Sequence, residues 1–320
     1  MGDLLVNLTV LLAAYNGEKY LPELLSSLSG QTFRDFQILY QDDGSSDRTP
    51  EILSHWSSRD PRFRPAGRQG EHLGPAGNFL SLLTQSTGDL VFLCDQDDYW
   101  EPEKLDVLVR YYAEITGTRS DDPSNAVSPL LIHSDASVVD ESGQMIHPSF
   151  FQHQGWDPEA VSLNRLLVQN NATGCLMMLN RPLVDLVSAY GAPSRMFMHD
   201  WFIALTAASF GSIRFCNQPL VRYRQHGDNS IGASSRSLFR RGLRALGQRE
   251  KSKARIALTY SHAEAFRASF GSTLPAEAAE TIDRYLAIRS LPKLQRIRQY
   301  RRMNFLMQSP ITRLGQYMFG

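Results

Sequence analysis

Apolar and polar positions alternate between a strand period and a helix period along the first hundred residues. Residues 8–14 form a β-rich apolar run that stops at Tyr15-Asn16-Gly17, and residues 18–29 then carry leucine at helical spacing. The same unit recurs. Residues 36–40 predict a second strand, ended by Gln41-Asp42-Asp43-Gly44-Ser45-Ser46-Asp47, with a helix over 49–56. Gly74-Pro75-Ala76-Gly77-Asn78 opens a helix through Leu83, and residues 89–94 predict the next strand. Asp98 then reads as the cap of a helix over about 103–115. Alternation with short connections implies an α/β fold with a mainly parallel central sheet flanked by helices on both faces.

Beyond that helix the pattern loosens. Residues 116–128 read as a polar loop, 130–132 and 136–139 as short strands, and 171–179 as a small-residue loop entering a strand at Cys175. An apolar helix over 199–209 and strands at 213–216 and 220–224 follow. From Ser237 onward the composition is helical.

Composition narrows the class only slightly. A 320-residue chain that is 42% hydrophobic and formally neutral has a globular core and no global attraction to nucleic acid. The charge is uneven, with 17 Lys or Arg against five Asp or Glu from Arg236 onward, so the C-terminal quarter reads as a separate basic surface. Cys94, Cys175 and Cys216 are widely spaced in apolar contexts, which predicts reduced, buried thiols rather than a disulfide framework or a zinc site. Met1-Gly2-Asp3 carries no basic region and the first apolar stretch breaks at Asn16-Gly17, so neither signal peptide nor membrane span is expected. The expected location is cytoplasmic, including the inner face of the cell membrane.

Chemistry concentrates at Asp95-Gln96-Asp97-Asp98, where three carboxylates follow a buried strand. Ligands of open α/β sheets bind at the carboxyl ends of strands, so this cluster is placed to hold a hard cation and, through it, phosphate oxygens. The plainer reading is a helix cap beside solvated acids.

Five motifs then fall into register. Tyr15-Asn16-Gly17, Asp42-Asp43-Gly44-Ser45-x-Asp47, Gly74-x-x-x-Asn78, Asp95-Gln96-Asp97-Asp98 and His199-Asp200-Trp201 follow the order and spacing of family 2 glycosyltransferases. Over residues 8–232 the chain resembles their inverting GT-A type. The Asp-Gln-Asp-Asp-x-Trp form, Asn171-Ala172-Thr173-Gly174-Cys175 and Tyr223-Arg224-Gln225-His226 resemble the rhamnosyltransferase-like branch.

The resemblance implies a GT-A domain over 1–235, with a donor half of about 1–115 and an acceptor half of about 116–235, followed by a basic helical region over 236–320. It also implies roles. Ala14, Tyr15 and Asn16 would line the base pocket, and Asp42 and Asp43 would accept from a pyrimidine N–H and a ribose hydroxyl. Asn78, Asp95 and Gln96 complete the donor contacts. Asp95 and Asp97 would hold Mg²⁺ or Mn²⁺ against the diphosphate, with His226 as a further ligand. Asp200 would be the base that inversion requires, with His199 orienting it or touching a sugar hydroxyl. Thr173, Gly174 and Cys175 would form the floor beside the sugar, and Trp201 would stack on it.

Each role has a structural counterpart. Asp-Asp-Gly-Ser is a turn signal, Asp200 is placed to cap a helix, and Trp100 and Trp201 are as suited to a core as to a sugar. His133-Ser134-Asp135 is either a further contact or an ordinary β-edge. Arg68 reads as a solvated loop residue or a phosphate contact, and His72 stands where the family commonly has Asn, leaving contacts from that loop open.

The implied activity is metal-dependent, inverting transfer of rhamnose from dTDP-rhamnose to a growing cell-surface polysaccharide or lipid-linked glycan. Alternatives are a UDP-hexose or UDP-N-acetylhexosamine transferase, or an inactive GT-A scaffold. A dehydrogenase would need Gly-x-Gly-x-x-Gly after the first strand, and a pyrophosphorylase a lysine-bearing glycine loop; neither is present. The basic stretches, Arg240, Arg241, Arg244, Arg249, Lys251 and Lys253, then Arg296, Arg298, Arg301 and Arg302, suit peripheral contact with an anionic membrane or a homo-oligomer.

Overall fold

The computed structural model describes residues 6–67, 69–117, 128–191, 198–226 and 245–320. The expectations for Arg68, most of the 116–128 loop, Arg240, Arg241 and Arg244 lie outside these residues. The first part of the chain runs β1 (Leu8–Ala14), α1 (Leu21–Ser29), β2 (Phe36–Asp42), α2 (Thr49–Arg59), β3 (Phe63–Pro65), α3 (Gly74–Gln85), β4 (Leu90–Asp95), β5 (Tyr99–Trp100) and α4 (Lys104–Thr116). The second part continues with β6 (Leu130–Val139), β7 (Met145–His147), α5 (Phe150–Gln154), α6 (Leu163–Leu166), β8 (Met177–Asn180), α7 (Arg181–Tyr190), α8 (His199–Phe210) and β9 (Ser212–Arg224). Four helices complete the described chain: α9 (Ala245–Phe270), α10 (Ala276–Ile288), α11 (Lys293–Arg302) and α12 (Pro310–Phe319).

The strands form one sheet in the order β3-β2-β1-β4-β8-β6-β9-β5, with β7 alongside β6. Pairing from β3 through β4 is parallel, as the βα alternation predicts. Past β4 the sheet is mixed, because β8 enters antiparallel to both β4 and β6 while β6 and β9 are parallel. In-register pairing sets Ala14 beside Asp42 and Ala13 beside Asp95. Three motif-bearing strand ends therefore lie side by side.

Side-chain alternation divides the core between the two faces of the sheet. Leu11, Val91 and Leu93 pack toward α3, α7 and α8, whereas Val10, Leu12, Phe92 and Cys94 pack toward α1 and α4. All three cysteines are buried and unpaired.

Several expectations change. Residues 130–139 are one buried strand rather than two, and 212–224 another; the register between them shifts at Ser134 and Asp135, where periodicity suggests a break. The strand expected from Cys175 begins at Met177, after a 3-10 turn over Gly174–Leu176. The basic C-terminal region is also no detached surface. Trp201 of α8 meets His262 of α9 edge-on at 4.5 Å, and Phe202 meets Phe266 and Phe270 at 5.6 and 5.8 Å. Buried hydroxyl pairs, Thr259 with Tyr285 at 2.7 Å and Tyr260 with Tyr300 at 2.6 Å, join α9 to α10 and α11.

One glycine is fixed by contact alone. A Cβ at Gly211, between α8 and β9, would sit 1.8 Å from the carbonyl oxygen of Pro129. Since both neighbours are backbone, Gly211→Ala is expected to cost about 1–3 kcal/mol of unfolding free energy, read as a lower denaturant midpoint at unchanged slope.

Candidate active site

The loops after β1, β2 and β4 are locked together by side-chain-to-backbone hydrogen bonds. Asn16, in the left-handed region at φ 49°, donates its N–H to Ser45 Oγ (2.9 Å) and accepts from Ser46 N–H (2.8 Å) through Oδ1. Gly17 N–H donates to Thr49 Oγ1 (2.7 Å). Gln96 grips Tyr15 at both ends of its amide: Tyr15 N–H donates to Oε1 (2.6 Å), and Nε2 donates to Tyr15 O (2.7 Å). A Cβ at Gly17 would lie 2.4 Å from Gln96 Oε1. Gly17→Ala should therefore displace the Gln96 amide from Tyr15 and cost about 1–3 kcal/mol of unfolding free energy, measured by urea denaturation.

The paired acids after β2 are similarly engaged. Asp42 accepts from Gly44 N–H (3.3 Å) and Ser45 N–H (3.1 Å) and bonds the Ser45 hydroxyl, the geometry of the turn that its sequence signals. Asp43, also buried, accepts from Leu73 N–H (2.6 Å) and Gly74 N–H (2.9 Å), so it satisfies the amino end of α3 from a neighbouring loop. The His72 ring lies 3.2 Å from the Asp43 carboxylate and 4.9 Å from the Tyr15 ring. Tyr15 and His72 are both exposed and form an aromatic ledge at the mouth of this loop cluster. Asn78 is buried beneath it, donating to Gln41 O (3.3 Å), with its own Oδ1 unpartnered.

The acidic quartet divides. Asp97 is near the surface, with Oδ2 2.7 Å from His226 Nε2. Asp98 is not the cap of α4, as expected; β5 intervenes, Glu103 occupies the N-cap position, and Asp98 points inward. Its Oδ1 accepts from Arg224 N–H (3.2 Å) and its Oδ2 is buried without a partner. Burial, then the neighbouring Asp97 charge, push its carboxyl up to about 7. Asp95 is raised well above the ordinary carboxylate range by burial and by Asp97, Asp98 and Asp200. Ligand atoms of Asp95, Asp98 and Cys175 all lie within 4.8 Å of one another.

Two cations to which the sequence assigned no role, Lys104 and Arg224, brace this cluster. Lys104 is fully buried, donates to Cys175 O (2.8 Å) and sits 3.5 Å from the Trp100 ring centre. Burial lowers its ammonium to about 8 despite the surrounding acids, and Trp100 is core rather than sugar platform. Arg224 donates through Nε to Asp97 O (3.0 Å), through Nη1 to Glu141 O (3.1 Å) and through Nη2 to Glu23 Oε2 (2.7 Å). Its place beside His226 in Tyr223-Arg224-Gln225-His226 was the signal in the sequence.

Carboxylates crowded with raised proton affinity, one with an orphaned oxygen, form a donor set suited to a hard divalent cation. The Cys175 thiol, pushed up by burial, is soft and neutral and adds nothing Mg²⁺ or Mn²⁺ requires.

Asp200 lies in the first turn of α8, whose N-cap position is Met198, and its charge is among those that raise the Asp95 carboxyl. Its Oδ1 is buried without a partner. Burial pushes its carboxyl up to about 7, eased by the N–H groups of Trp201 and Gly174 and the amide of Asn170. A Cβ on Gly174 would meet His199 Nε2 at 3.0 Å and Asp200 Cβ at 3.7 Å, so this glycine lets the 3-10 turn approach the start of α8 closely. His199 is buried and stacked on Phe79 at 4.3 Å; burial pushes its imidazole down to about 3, leaving it neutral. Thr173 is half-buried, and Cys175 turns inward beneath Asp98. Trp201 donates its indole N–H to Leu166 O (2.7 Å) and packs on His262, away from any open sugar face.

His133-Ser134-Asp135 belongs to the buried scaffold. His133 lies among Phe151 and Phe215, pushed down to about 4 by burial, and Asp135 accepts from Ser149 Oγ (2.5 Å) and Phe150 N–H (3.0 Å) at the start of α5.

Comparison with known proteins gives this geometry a family. Residues 9–119 match the family described as Glycosyl transferase family 2. The chain is 28% identical over 223 residues to an uncharacterised protein of Mycobacterium tuberculosis, covering 68% of this chain and 59% of that protein's length. It is 23% identical over 233 residues to the dTDP-rhamnosyl transferase RfbG of Shigella flexneri, covering 70% of this chain and 74% of the relative. Among solved structures it is similar to S. aureus TarS 1-349 in complex with UDP-GlcNAc, with a TM-score of 0.53 at 18% identity over 93% of this chain and 88% of that one. Through its strand-end motifs and its sheet, the chain is similar to glycosyl transferase family 2 over residues 9–119, and its fold is the GT-A fold.

Proposed function

We propose that the chain transfers a sugar from a nucleotide-diphosphate donor to an acceptor hydroxyl with inversion, Asp200 being the base. The observation that carries this reading is the buried, unpartnered Asp200 Oδ1, on a carboxyl whose charge acts on Asp95 of the acidic cluster. A carboxylate with a proton affinity near neutrality is suited to taking a proton during attack. In the proposed step the acceptor oxygen bonds to the anomeric carbon, the bond from that carbon to the diphosphate oxygen breaks, and the hydroxyl proton passes to Asp200.

Asp95 and Asp97, with His226 bonded to Asp97, are the residues assigned to a divalent cation, and Asp98 stands behind them. When bound, Mg²⁺ or Mn²⁺ neutralises charge on the departing diphosphate. Ala14, Tyr15 and Asn16 are assigned to the base, with the exposed Tyr15 and His72 rings as the stacking surface. Asp42, Asp43, Asn78 and Gln96 act chiefly by shaping that pocket, since their described bonds go to neighbouring backbone and, for Asp42 and Asp43, to the Ser45 hydroxyl and the His72 ring.

The proposed donor is dTDP-rhamnose, supported by the RfbG relative, and the proposed acceptor is a growing polysaccharide or lipid-linked glycan. The UDP-GlcNAc bound by the TarS fragment favours a UDP-N-acetylhexosamine as the second reading. A panel of nucleotide sugars scored by Mn²⁺-dependent thermal shift, followed by transfer assays, tests both. Stronger stabilisation by UDP-hexoses than by dTDP-rhamnose would overturn the first.

The cluster also sets a pH dependence. Asp98 and Asp200 have folded-state values near 7 against 3.8 for a free carboxyl, so the folded chain keeps protons that the unfolded chain releases. Stability therefore falls as pH rises from about 4 to about 7. Mn²⁺ competes with those protons, and its thermal shift is expected to be larger at about pH 8 than at about pH 5. An equal shift at both would count against cation binding here.

A further inference from the structure

We propose that the outward face of α12, together with the basic start of α9, docks on an anionic lipid bilayer. This rests on the surface of these helices and not on the donor-site reading. Ile311, Leu314 and Met318 recur at i, i+3 and i+7, so they form one stripe. They are 77%, 59% and 51% exposed. The opposite side of α12 is anchored, with Gly315 against Ser252 of α9 and the Gln316 amide donating to Phe305 O (2.8 Å). The apolar stripe is thus held outward by packing behind it, and its orientation is not a matter of a loose end.

Charge identifies the occupant. From Lys293 to Gly320 the chain has six Lys or Arg and no Asp or Glu. Arg249, Lys251, Lys253 and Arg255 of α9 are exposed, with Glu250 bonded to Lys253 at 3.2 Å. The Arg249 guanidinium lies 5.8 Å from the Phe319 ring, which places the cationic end of α9 beside α12. Leu294 of α11, 81% exposed, continues the same combination, since Arg298 and Arg301 follow it at i+4 and i+7.

Apolar side chains rimmed by guanidinium and ammonium groups match the acyl boundary and the phosphate layer of an anionic membrane. A polynucleotide would meet the charges but leave the leucine and isoleucine in water. A second copy of the chain would bring two cationic surfaces together. Contact would be peripheral, since among the described residues no helix is long and apolar enough to cross a membrane.

The test is co-sedimentation of the whole chain with vesicles. Pelleting is expected with equimolar phosphatidylcholine and phosphatidylglycerol, should weaken as salt is raised, and should be absent with phosphatidylcholine alone. The triple variant I311S, L314S, M318S should lose more than about tenfold in vesicle affinity while keeping its circular dichroism and donor binding. Arg249→Glu with Lys253→Glu should weaken binding most at low salt. Equal pelleting with neutral vesicles, full binding by both variants, or a parent dimer that sedimentation velocity shows dissociating in the triple variant would each overturn the proposal. Donor binding in the same samples separates this outcome from failure of the proposed activity.

Discussion

Asp200→Asn is expected to lower kcat by about a hundred- to ten-thousand-fold while leaving the dissociation constant of the donor within about twofold. The asparagine amide keeps the size of the side chain but cannot take the acceptor proton. Removing a buried carboxyl raised to about 7 should also relieve the fold at neutral pH, so the variant is expected to melt no lower than the parent. In the parent, kcat at saturating Mn²⁺ should rise with pH and level off above about 7, because the carboxylate is the active form. Undiminished turnover in Asp200→Asn would remove it as the base. A loss matched by equal weakening of donor binding would instead place its role in the donor pocket.

The second large effect is expected at Lys104. Its ammonium is fully buried among Asp95, Asp98, Cys175 and Trp100, so Lys104→Met removes the nearest cation from two crowded carboxyl groups. Breaking such an arrangement from one side is expected to cost about 3 kcal/mol of stability at neutral pH. Urea denaturation of the parent, Lys104→Met, Asp98→Asn and the double variant would measure the coupling, expected above about 1 kcal/mol. Additive effects would mean that the lysine merely packs against Trp100. Because the apolar methionine keeps most of that packing, a large loss points to charge.

The parallel half of the fold was legible where strands are apolar runs ended by Gly, Asn or Asp, and not at β3, where Arg64 and Pro65 are exposed and leave no run. Leu8–Ala14 and the strand feeding Asp95 are such runs, and their register follows from pairing the same way. The mixed half was less legible. Residues 130–139 are buried throughout, yet His133, Ser134 and Asp135 interrupt the apolar run and mimic a turn.

At the site, residue types foretold the acids but not what each would touch. Asp98 stands one residue before β5, a two-residue strand too short to leave a period, so a cap was the local reading of what is an inward-facing group. Asn16, Asp42, Asp43 and Gln96 engage groups 29 to 81 positions away or in their own turn, and no window of sequence reports those partners. Lys104 illustrates the converse: a lysine in the first turn of an amphipathic helix looks solvated until the 3-10 turn beneath it, with its Cys175 carbonyl, is known. Trp201 looked free for a sugar because its partner, His262, lies in a helix the motif pattern does not reach.

That partnership bears on how such proteins can be recombined. The helix carrying Asp200 has its back surface made by α9, through Trp201 with His262 and Phe202 with Phe266 and Phe270. A graft that exchanges acceptor preference between two such chains must therefore carry 245–288 along with 130–224, or leave a row of aromatic rings facing mismatched neighbours. A cut after α4 would divide the β4–β8 and β5–β9 pairs and part Phe79 from His199, and one after β9 would expose the aromatic row, so chimaeras cut at either place are expected to aggregate.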